Sequence, residues 1–381
     1  MTAPRAHLVY IISPQSQIDI IHAIATLVDH MVTLPFDITI VDIADHPKPA
    51  LVTIQRQHPQ VNIIMIEAMP PMAWLKRVRV LINALRAIRP SIVHLFADTL
   101  DTNLDLITAC WAAQVPWRIA TVANVFAQST TDGARPLFAL IRSRLLRTLH
   151  EFITFTSHAK TILVNEYQLR HDLVRVIPIG IDSQTYALHA IPARQRHDFQ
   201  LPSESPLIVA MGPFVHAKGH AVLIHAMDYI WQQIPSAQLL IVGDGPESQE
   251  LLTQAQHRLF PGQIHFMGAL SQPQLLMPLV DVFVQPSYSE PMSFHLMLAM
   301  ALERPVVATS IPNISAIVES NASGLLVRPG DAQALASAIL RIWHDAQLRI
   351  TISLNARTRV SQRFELRRWQ HDTAACYRVR T

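Results

Sequence analysis

The sequence predicts an α/β protein made of two domains, each with a parallel sheet flanked by helices. Short apolar runs alternate with helix-like stretches along the chain, and this alternation restarts near residues 178–183. The length of 381 residues suits two domains of about 150 residues or more each. Half of the residues are hydrophobic and 15% are charged, so both domains can bury a full core.

The apolar runs predict buried strands, because strands covered on both faces are apolar throughout rather than alternating. In the first half these runs are HLVYIIS, FDITIVDI, VNIIMIEA, SIVHLFA, RIATVAN and EFITFTS. In the second half they are PLIVAMG, AQLLIVGDG, QIHFMGA, DVFVQPS, PVVATS and GLLVRPG. The pattern therefore predicts two doubly wound domains in tandem, the first covering residues 1–180 and the second beginning at residue 181.

Composition excludes several classes of protein. The two cysteines, Cys110 and Cys376, are far apart in sequence, which argues against a disulfide framework or a cysteine zinc site and favours a reducing cytoplasm. No segment reads as a signal peptide or a membrane span. The formal net charge is +3, so the global balance gives no argument for nucleic-acid binding.

Basic residues cluster in two predicted amphipathic helices, WLKRVRVLINALRAIRP and RPLFALIRSRLLRTLH. The clustered arginines are Arg79, Arg86, Arg89, Arg142, Arg144 and Arg147. Two interpretations stay open. The helices have ordinary solvated faces, or they contact an anionic membrane or a phosphorylated acceptor.

Glycine placement separates the two halves. Of ten glycines, Gly133 alone precedes Gly180. Close backbone approach to a phosphate usually requires glycine, so a phosphorylated donor is expected in the second half. There, GPFVHAKGH carries Gly212 and Lys218, and Lys218 is either a phosphate ligand or a solvated loop lysine. The stretch VGDGPES is a weak dinucleotide motif, with Gly243 and Gly245 but without a third glycine.

The stretch EPMSFHLMLAMALE predicts an anion-binding helix start. Glu290, Pro291 and Met292 precede Ser293, which can cap a helix that begins at Phe294. The free N–H groups and the positive dipole end of such a helix attract an anion. Glu290 would accept hydrogen bonds from sugar hydroxyls beside it, or it is simply a solvated loop acid.

Together these motifs resemble the C-terminal half of the family 4 glycosyltransferases. The similar stretches are MGPFVHAKG, LLIVGDGPE, IHFMGALS, LVDVFVQPSYSEPMSFHLMLAMALERPVVAT and SGLLVRPGDAQALASAI. The resemblance implies a GT-B fold, with two Rossmann-like domains facing across a cleft. It also implies a nucleotide-sugar domain over residues 181–358, and a terminal helix over 359–381 that crosses back to the acceptor-side domain.

The same resemblance implies retaining transfer from a nucleotide sugar to an acceptor. The sequence does not fix the acceptor, and a saccharide and a lipid-linked molecule are both open. No metal or other cofactor is expected, and the chain contains no D-x-D pair. His94 in SIVHLFAD matches a recurrent family histidine, and it is either a catalytic residue together with Glu290 or a residue that simply closes a strand. The protein is expected in the cytoplasm or peripherally at the inner membrane face.

Several positions depart from the family pattern, among them Asn313 and Ala316, where the family tends to have a glycine and an acid. Leu298 stands where the family has a second glutamate that grips the ribose, Pro213 where a basic residue is usual, and Ala123 where a histidine is common. Two hypotheses therefore stay open. The first is an active transferase with an altered donor site, and the second is a catalytically silent GT-B protein that binds an active transferase as its partner.

Overall fold

The computed structural model describes residues 5–13, 18–46, 48–70, 73–125, 136–202 and 205–377. Gly133 lies outside these residues. The chain divides into two compact units, one formed by Met1–Ile179 with Arg368–Thr381 and the other by Gly180–Arg367. The predicted boundary at 358/359 falls inside a helix, and the chain returns to the first unit nine residues later, between Arg367 and Arg368.

The first unit contains a seven-stranded parallel sheet with the order β3-β2-β1-β4-β5-β6-β7. Its central strands are apolar and buried along most of their length, as expected for strands covered on both faces. The strands are β1 Ala6–Ile12, β2 Phe36–Ile43, β3 Asn62–Ile66, β4 Ile92–Ala97, β5 Trp117–Val122, β6 Glu151–Thr154 and β7 Val174–Val176.

Helices connect these strands as crossovers. They are α1 Ile18–Met31, α2 Pro49–Gln57, α3 Trp74–Ile88, α4 Leu104–Ala112, α5 Pro136–Leu146 and α6 Ser157–Asn165. The strand order reverses direction after β3, so right-handed crossovers place α1 and α2 on one face of the sheet and α3 to α6 on the other. The buried sides of α3, α4 and α6 share one apolar cluster with the sheet.

The second unit contains a six-stranded parallel sheet with the order β10-β9-β8-β11-β12-β13. Its strands are β8 Leu207–Met211, β9 Gln238–Val242, β10 Ile264–Met267, β11 Val282–Gln285, β12 Val306–Thr309 and β13 Leu325–Val327. The helices after these strands are α7 His220–Trp231, α8 Ser248–Gln256, α9 Phe294–Ala301, α10 Pro312–Ile317, α11 Ala332–His344 and α12 Ala346–Arg363. They are followed by α13 Leu366–Ala375.

The strand order of the second unit creates a switch point between β8 and β11. From β8 the chain proceeds to β9 and β10 on one side, and from β11 to β12 and β13 on the other. The loops that follow β8 and β11 therefore diverge at the carboxyl edge of the sheet, where open α/β sheets bind ligands. The predicted fold class of two Rossmann-like parallel-sheet units is confirmed.

Within the part of the chain that the structure describes, no helix is both long enough and apolar enough to cross a bilayer.

Candidate functional site

A buried ion pair occupies the switch point of the second unit. Lys218, in the loop between β8 and α7, places its Nζ 2.6 Å from Oε1 of Glu290, in the loop between β11 and α9. The two side chains are 4% and 0% exposed. The interpretations of Lys218 and Glu290 as solvated surface residues are therefore wrong.

Polar side chains complete the surroundings of the Glu290 carboxylate. Its Oε2 accepts hydrogen bonds from Ser287 Oγ at 2.9 Å and from Gln285 Nε2 at 3.1 Å. The main-chain oxygen of Glu290 accepts a hydrogen bond from Asn313 Nδ2 at 2.6 Å. A buried carboxylate is tolerated when a cation and hydrogen-bond donors replace its hydration, and this one has both.

The same network continues into the first turn of α9. Ser293 Oγ donates to Oε1 of Gln285 at 3.0 Å and accepts a bond from the backbone N–H of Leu296 at 3.2 Å. Ser293 therefore caps α9, as predicted. Its side chain points towards Gln285, so the helix start and the ion pair belong to one connected set of hydrogen bonds.

Around this cap, Pro291 and Met292 are buried, whereas Phe294 and His295 are partly exposed. Leu298 lies one turn further along α9 and is 0% exposed. The position at which the resembling family carries its ribose-binding glutamate is therefore inside the apolar core of this unit.

Glycines let three loops of the second unit pack closely. Gly219 has φ +66°, and a Cβ there would lie 2.2 Å from the carbonyl oxygen of Pro286. Gly243 has φ +152°, and a Cβ there would lie 2.0 Å from the carbonyl oxygen of Gly212. Gly245 packs in the same way against Phe214. Contacts between loops account for Gly219, Gly243 and Gly245 without any ligand.

Two exposed aromatic residues form a pair near the ion pair, and each lies two residues before one of its members in sequence. The rings of His216 and Tyr288 stack with centroids 5.1 Å apart and an interplanar angle of 10°. The backbone N–H of Tyr288 donates to the carbonyl of Ala217 at 2.8 Å, which joins the two loops beside Lys218. A partly exposed aromatic surface of this kind can support a ring of a ligand.

Sequence reasoning missed Gln285 and Ser287 as members of the site. A polar residue at the end of an apolar strand was the available signal, since Gln285 closes the buried run VFVQ. Its meaning depends on Glu290 folding back onto the strand end. A single sequence does not encode that contact in any recognisable pattern.

In the first unit, His94 lies on β4 and has no exposed surface. Its Nδ1 is 2.6 Å from the hydroxyl of Tyr377, and its Nε2 is 2.7 Å from Oγ1 of Thr121. Burial lowers the pKa of His94 to about 3. With both ring nitrogens occupied and no access to solvent, the geometry favours the interpretation that His94 holds the C-terminal segment against the sheet.

Two residues at the end of β5, Ala123 and Asn124, lie in the same part of the first unit. Ala123, where the family commonly has a histidine, is buried directly after β5. The adjacent Asn124 donates from Nδ2 to Oδ1 of Asp98 at 2.7 Å. Ala123 packs in the interior, and the bond from Asn124 joins the segments that follow β5 and β4.

The burial of His94 predicts acid sensitivity. Between its usual pKa near 6.5 and about 3, the unfolded chain binds a proton at His94 that the folded chain does not, so acidification lowers the free energy of unfolding. His94 should account for a loss of about 2 kcal/mol between pH 7 and pH 5. His220, whose pKa burial lowers to about 4, should add a similar loss. Urea titrations at several pH values measure both.

In the same titrations, His94→Gln should remove the part of the pH dependence that His94 contributes, about half of the sum for His94 and His220. It should also lower stability at pH 7. Replacing the exposed His257 by glutamine is the matched control and should leave the pH dependence as it is. An unchanged pH dependence in His94→Gln would contradict the assignment of a neutral, buried imidazole.

Comparison with known proteins finds a family model that matches most of the second unit. Residues 193–359 match the family model "Glycosyl transferases group 1". A lipopolysaccharide core biosynthesis glycosyltransferase of Rhizobium meliloti is 31% identical over 163 residues, covering 43% of this chain and 47% of that protein. The chain thus matches about half the length of that relative.

Two further similarities extend over more of the chain. The 2-deoxystreptamine glucosyltransferase of Streptomyces kanamyceticus is 26% identical over 266 residues, covering 65% of this chain and 69% of that protein. The crystal structure of Anabaena HepE in complex with UDP-glucose has a TM-score of 0.80 at 19% identity, covering 97% of this chain and 98% of that one. The structural similarity confirms the GT-B fold.

Proposed function

We propose that this chain, whose residues 193–359 match the family model of the group 1 glycosyl transferases, moves a sugar from a nucleotide-sugar donor to an acceptor hydroxyl with retained configuration. In this reaction the bond between the anomeric carbon and the diphosphate oxygen breaks, and a bond from that carbon to the acceptor oxygen forms. The acceptor hydroxyl loses its proton, and the nucleoside diphosphate leaves.

One observation carries the proposal: the buried pair of Lys218 and Glu290 lies at the switch point of the second sheet, next in sequence to the start of α9. The ammonium and the helix start are both suited to the negative charge of a leaving diphosphate. The carboxylate of Glu290, which is bonded to Lys218, Ser287 and Gln285, holds this ammonium in place. Because the ammonium of Lys218 and the start of α9 supply positive charge directly, the proposed transfer requires no divalent metal.

The two solved structures of Anabaena HepE with UDP-glucose and with UDP plus glucose support a nucleotide sugar as the donor class. The lipopolysaccharide core relative supports a saccharide or lipid-linked saccharide as the acceptor class. Contacts between loops and ligand select the donor base, the donor sugar and the acceptor, so the fold alone does not specify them.

A second candidate function is a catalytically silent binding protein that serves an active transferase. The specific observation in its favour is the full burial of Leu298. Loss of a charged ribose acceptor costs about 1.5–3 kcal/mol, or roughly tenfold to a hundredfold in affinity. The transferase is the better supported function, because the ion pair and the capped helix start are both intact.

Calorimetric titration with uridine, guanosine and adenosine diphosphates tests the proposal. We expect one of them to bind, and Lys218→Ala to weaken that binding roughly tenfold to a hundredfold. Lys160→Ala, on α6 of the first unit, is the matched control and should bind as the parent does. Absence of heat with every diphosphate at millimolar concentration would favour the silent binding protein.

A further inference from the structure

Three helices on one face of the first sheet form a continuous layer. At their starts, α3 and α4 are joined by the ion pair of Arg77 and Asp105, and at their ends Arg86 Nη2 donates to the carbonyl of Ala112 at 3.2 Å. The helix α5 packs beside α4, and its Arg142 forms an ion pair at 3.3 Å with Asp101, which precedes α4. The outward sides of α3, α4 and α5 are called the outer face below.

The outer face exposes large apolar side chains. On α3, Leu75 is 67% exposed and lies beside the exposed Trp74, and on α5, Leu140 is 58% exposed beside the exposed Ile141. Trp111 is exposed at the end of α4. Five such side chains on one helical layer are more than the scattered exposed apolar residues of an ordinary surface.

Cations surround these apolar groups. Leu75, Arg79, Asn83 and Arg86 follow a helical spacing of three to four residues, so they form one stripe along α3. On α5 and just after it, the exposed cations are Arg144 and Arg147. They lie on the same side as Leu140.

Acidic residues are nearly absent from the three helices. Their sequences contain six basic residues and one acid, Asp105. Asp105 is buried and paired with Arg77. Arg77 is paired with Asp105 and Arg142 with Asp101, so the net positive charge of the outer face comes from the other basic residues, Lys76, Arg79, Arg86 and Arg144. This charge lies beside apolar side chains that point into solvent.

We propose that the outer face binds the anionic surface of a phospholipid bilayer. Basic side chains attract anionic headgroups, while tryptophan and aliphatic side chains insert at the boundary of headgroup and acyl chain. Both components are present within single helices, with Trp74 and Leu75 preceding Lys76 and Arg79. A nucleic acid would match the charge but would leave Leu75, Leu140 and Ile141 without an apolar partner.

This inference does not depend on sugar transfer, because it rests on α3, α4 and α5 and uses no residue of the second unit. Vesicle binding and nucleoside diphosphate binding can therefore succeed or fail separately.

Sedimentation with vesicles tests the proposal on the full chain. We expect the protein to sediment with vesicles of phosphatidylcholine mixed with phosphatidylglycerol and to stay in the supernatant with phosphatidylcholine alone. Binding should weaken as salt is raised, because salt screens attraction between exposed charges. Equal sedimentation with both vesicle types would overturn the proposal.

Two pairs of variants locate the surface. The triple variant Arg79→Gln, Arg86→Gln and Arg144→Gln should weaken binding roughly a hundredfold, at roughly fivefold for each basic residue near the membrane. Its matched control replaces three exposed arginines elsewhere by glutamine, at Arg56, Arg170 and Arg363. This control should keep most of the binding, and an equal loss in both triples would overturn the proposal.

The apolar component is tested by Leu75→Ser, which should reduce binding. Its control is Leu259→Ser, which changes a leucine of similar exposure, 62%, on the second unit and should have little effect. Equal behaviour of these two variants would overturn insertion of the outer face. Retention of an RNA homopolymer without vesicle binding would overturn the choice of a lipid surface.

Discussion

Replacing Lys218 by methionine should lower the free energy of unfolding by about 3–5 kcal/mol, because it leaves the buried Glu290 carboxylate without its cation. The two charged atoms are 2.6 Å apart, and neither side chain has appreciable exposure. Ser287 and Gln285 would continue to donate to the carboxylate, so the loss should fall within this range rather than above it. Urea unfolding at neutral pH measures the change.

The double variant Lys218→Met with Glu290→Gln is the informative control. Removing both charges should recover a large part of the lost stability, because a neutral glutamine keeps the shape and can still accept from Ser287 and Gln285. Additive losses from the two single variants would show that the ion pair has no coupling energy. That result would contradict its description as a buried, mutually dependent pair.

This ion pair also bears on how a donor would bind. The charge of Lys218 is already balanced by Glu290, so a diphosphate arriving at the site would share the ammonium with the carboxylate. Glu290→Gln should therefore preserve or strengthen nucleoside diphosphate binding, while Lys218→Ala weakens it. The two substitutions thus separate the stabilising role of the pair from the proposed role of Lys218 in donor binding.

The strand content of both units could be predicted from sequence because fully buried parallel strands are apolar along their whole length. Each of the twelve predicted runs overlaps an observed strand. A further strand, β7 at Val174–Val176, is not among the predicted runs. Three residues with an exposed Arg175 in the middle give too short a pattern to recognise.

The candidate site was only partly predictable, because its key contacts join residues that are distant in sequence. Lys218 and Glu290 were each singled out, but their direct pairing across 72 positions was not. His94 was matched to a catalytic role, whereas its burial depends on Tyr377, 283 positions away. Local pattern identifies strand ends and helix starts. Which side chains meet there is decided by tertiary packing.

Glycine placement shows the same limit. The motif VGDGPES predicts phosphate contacts at Gly243 and Gly245. A Cβ at either position would clash with the loop after β8, so the packing of this loop already requires glycine there. The residues that bring this loop close are Gly212 and Phe214, which precede them by about thirty positions. A glycine that packs two loops together and a glycine that admits a phosphate leave the same signal in a single sequence.

Leu298→Glu should be among the most damaging single substitutions in the second unit. The side chain of Leu298 is 0% exposed on a helix whose residues from Leu296 to Ala301 are all buried. A glutamate there would be buried without a partner, and the expected loss is about 4 kcal/mol or more. For a unit of this size that corresponds to a fall in Tm of roughly 8–16 °C.

Leu296→Glu on the same helix is the matched control, since Leu296 is equally buried, and Leu298→Met tests volume alone and should cost less than about 1.5 kcal/mol. If position 298 borders a ribose site, Leu298→Glu would instead be better tolerated than Leu296→Glu and would tighten nucleoside diphosphate binding. Equal damage from the two glutamates, with no gain in affinity, would mean that any nucleoside is held without a carboxylate at this position. An active enzyme would then have to recognise its donor mainly through the sugar and the diphosphate, for which Lys218 is the proposed ligand.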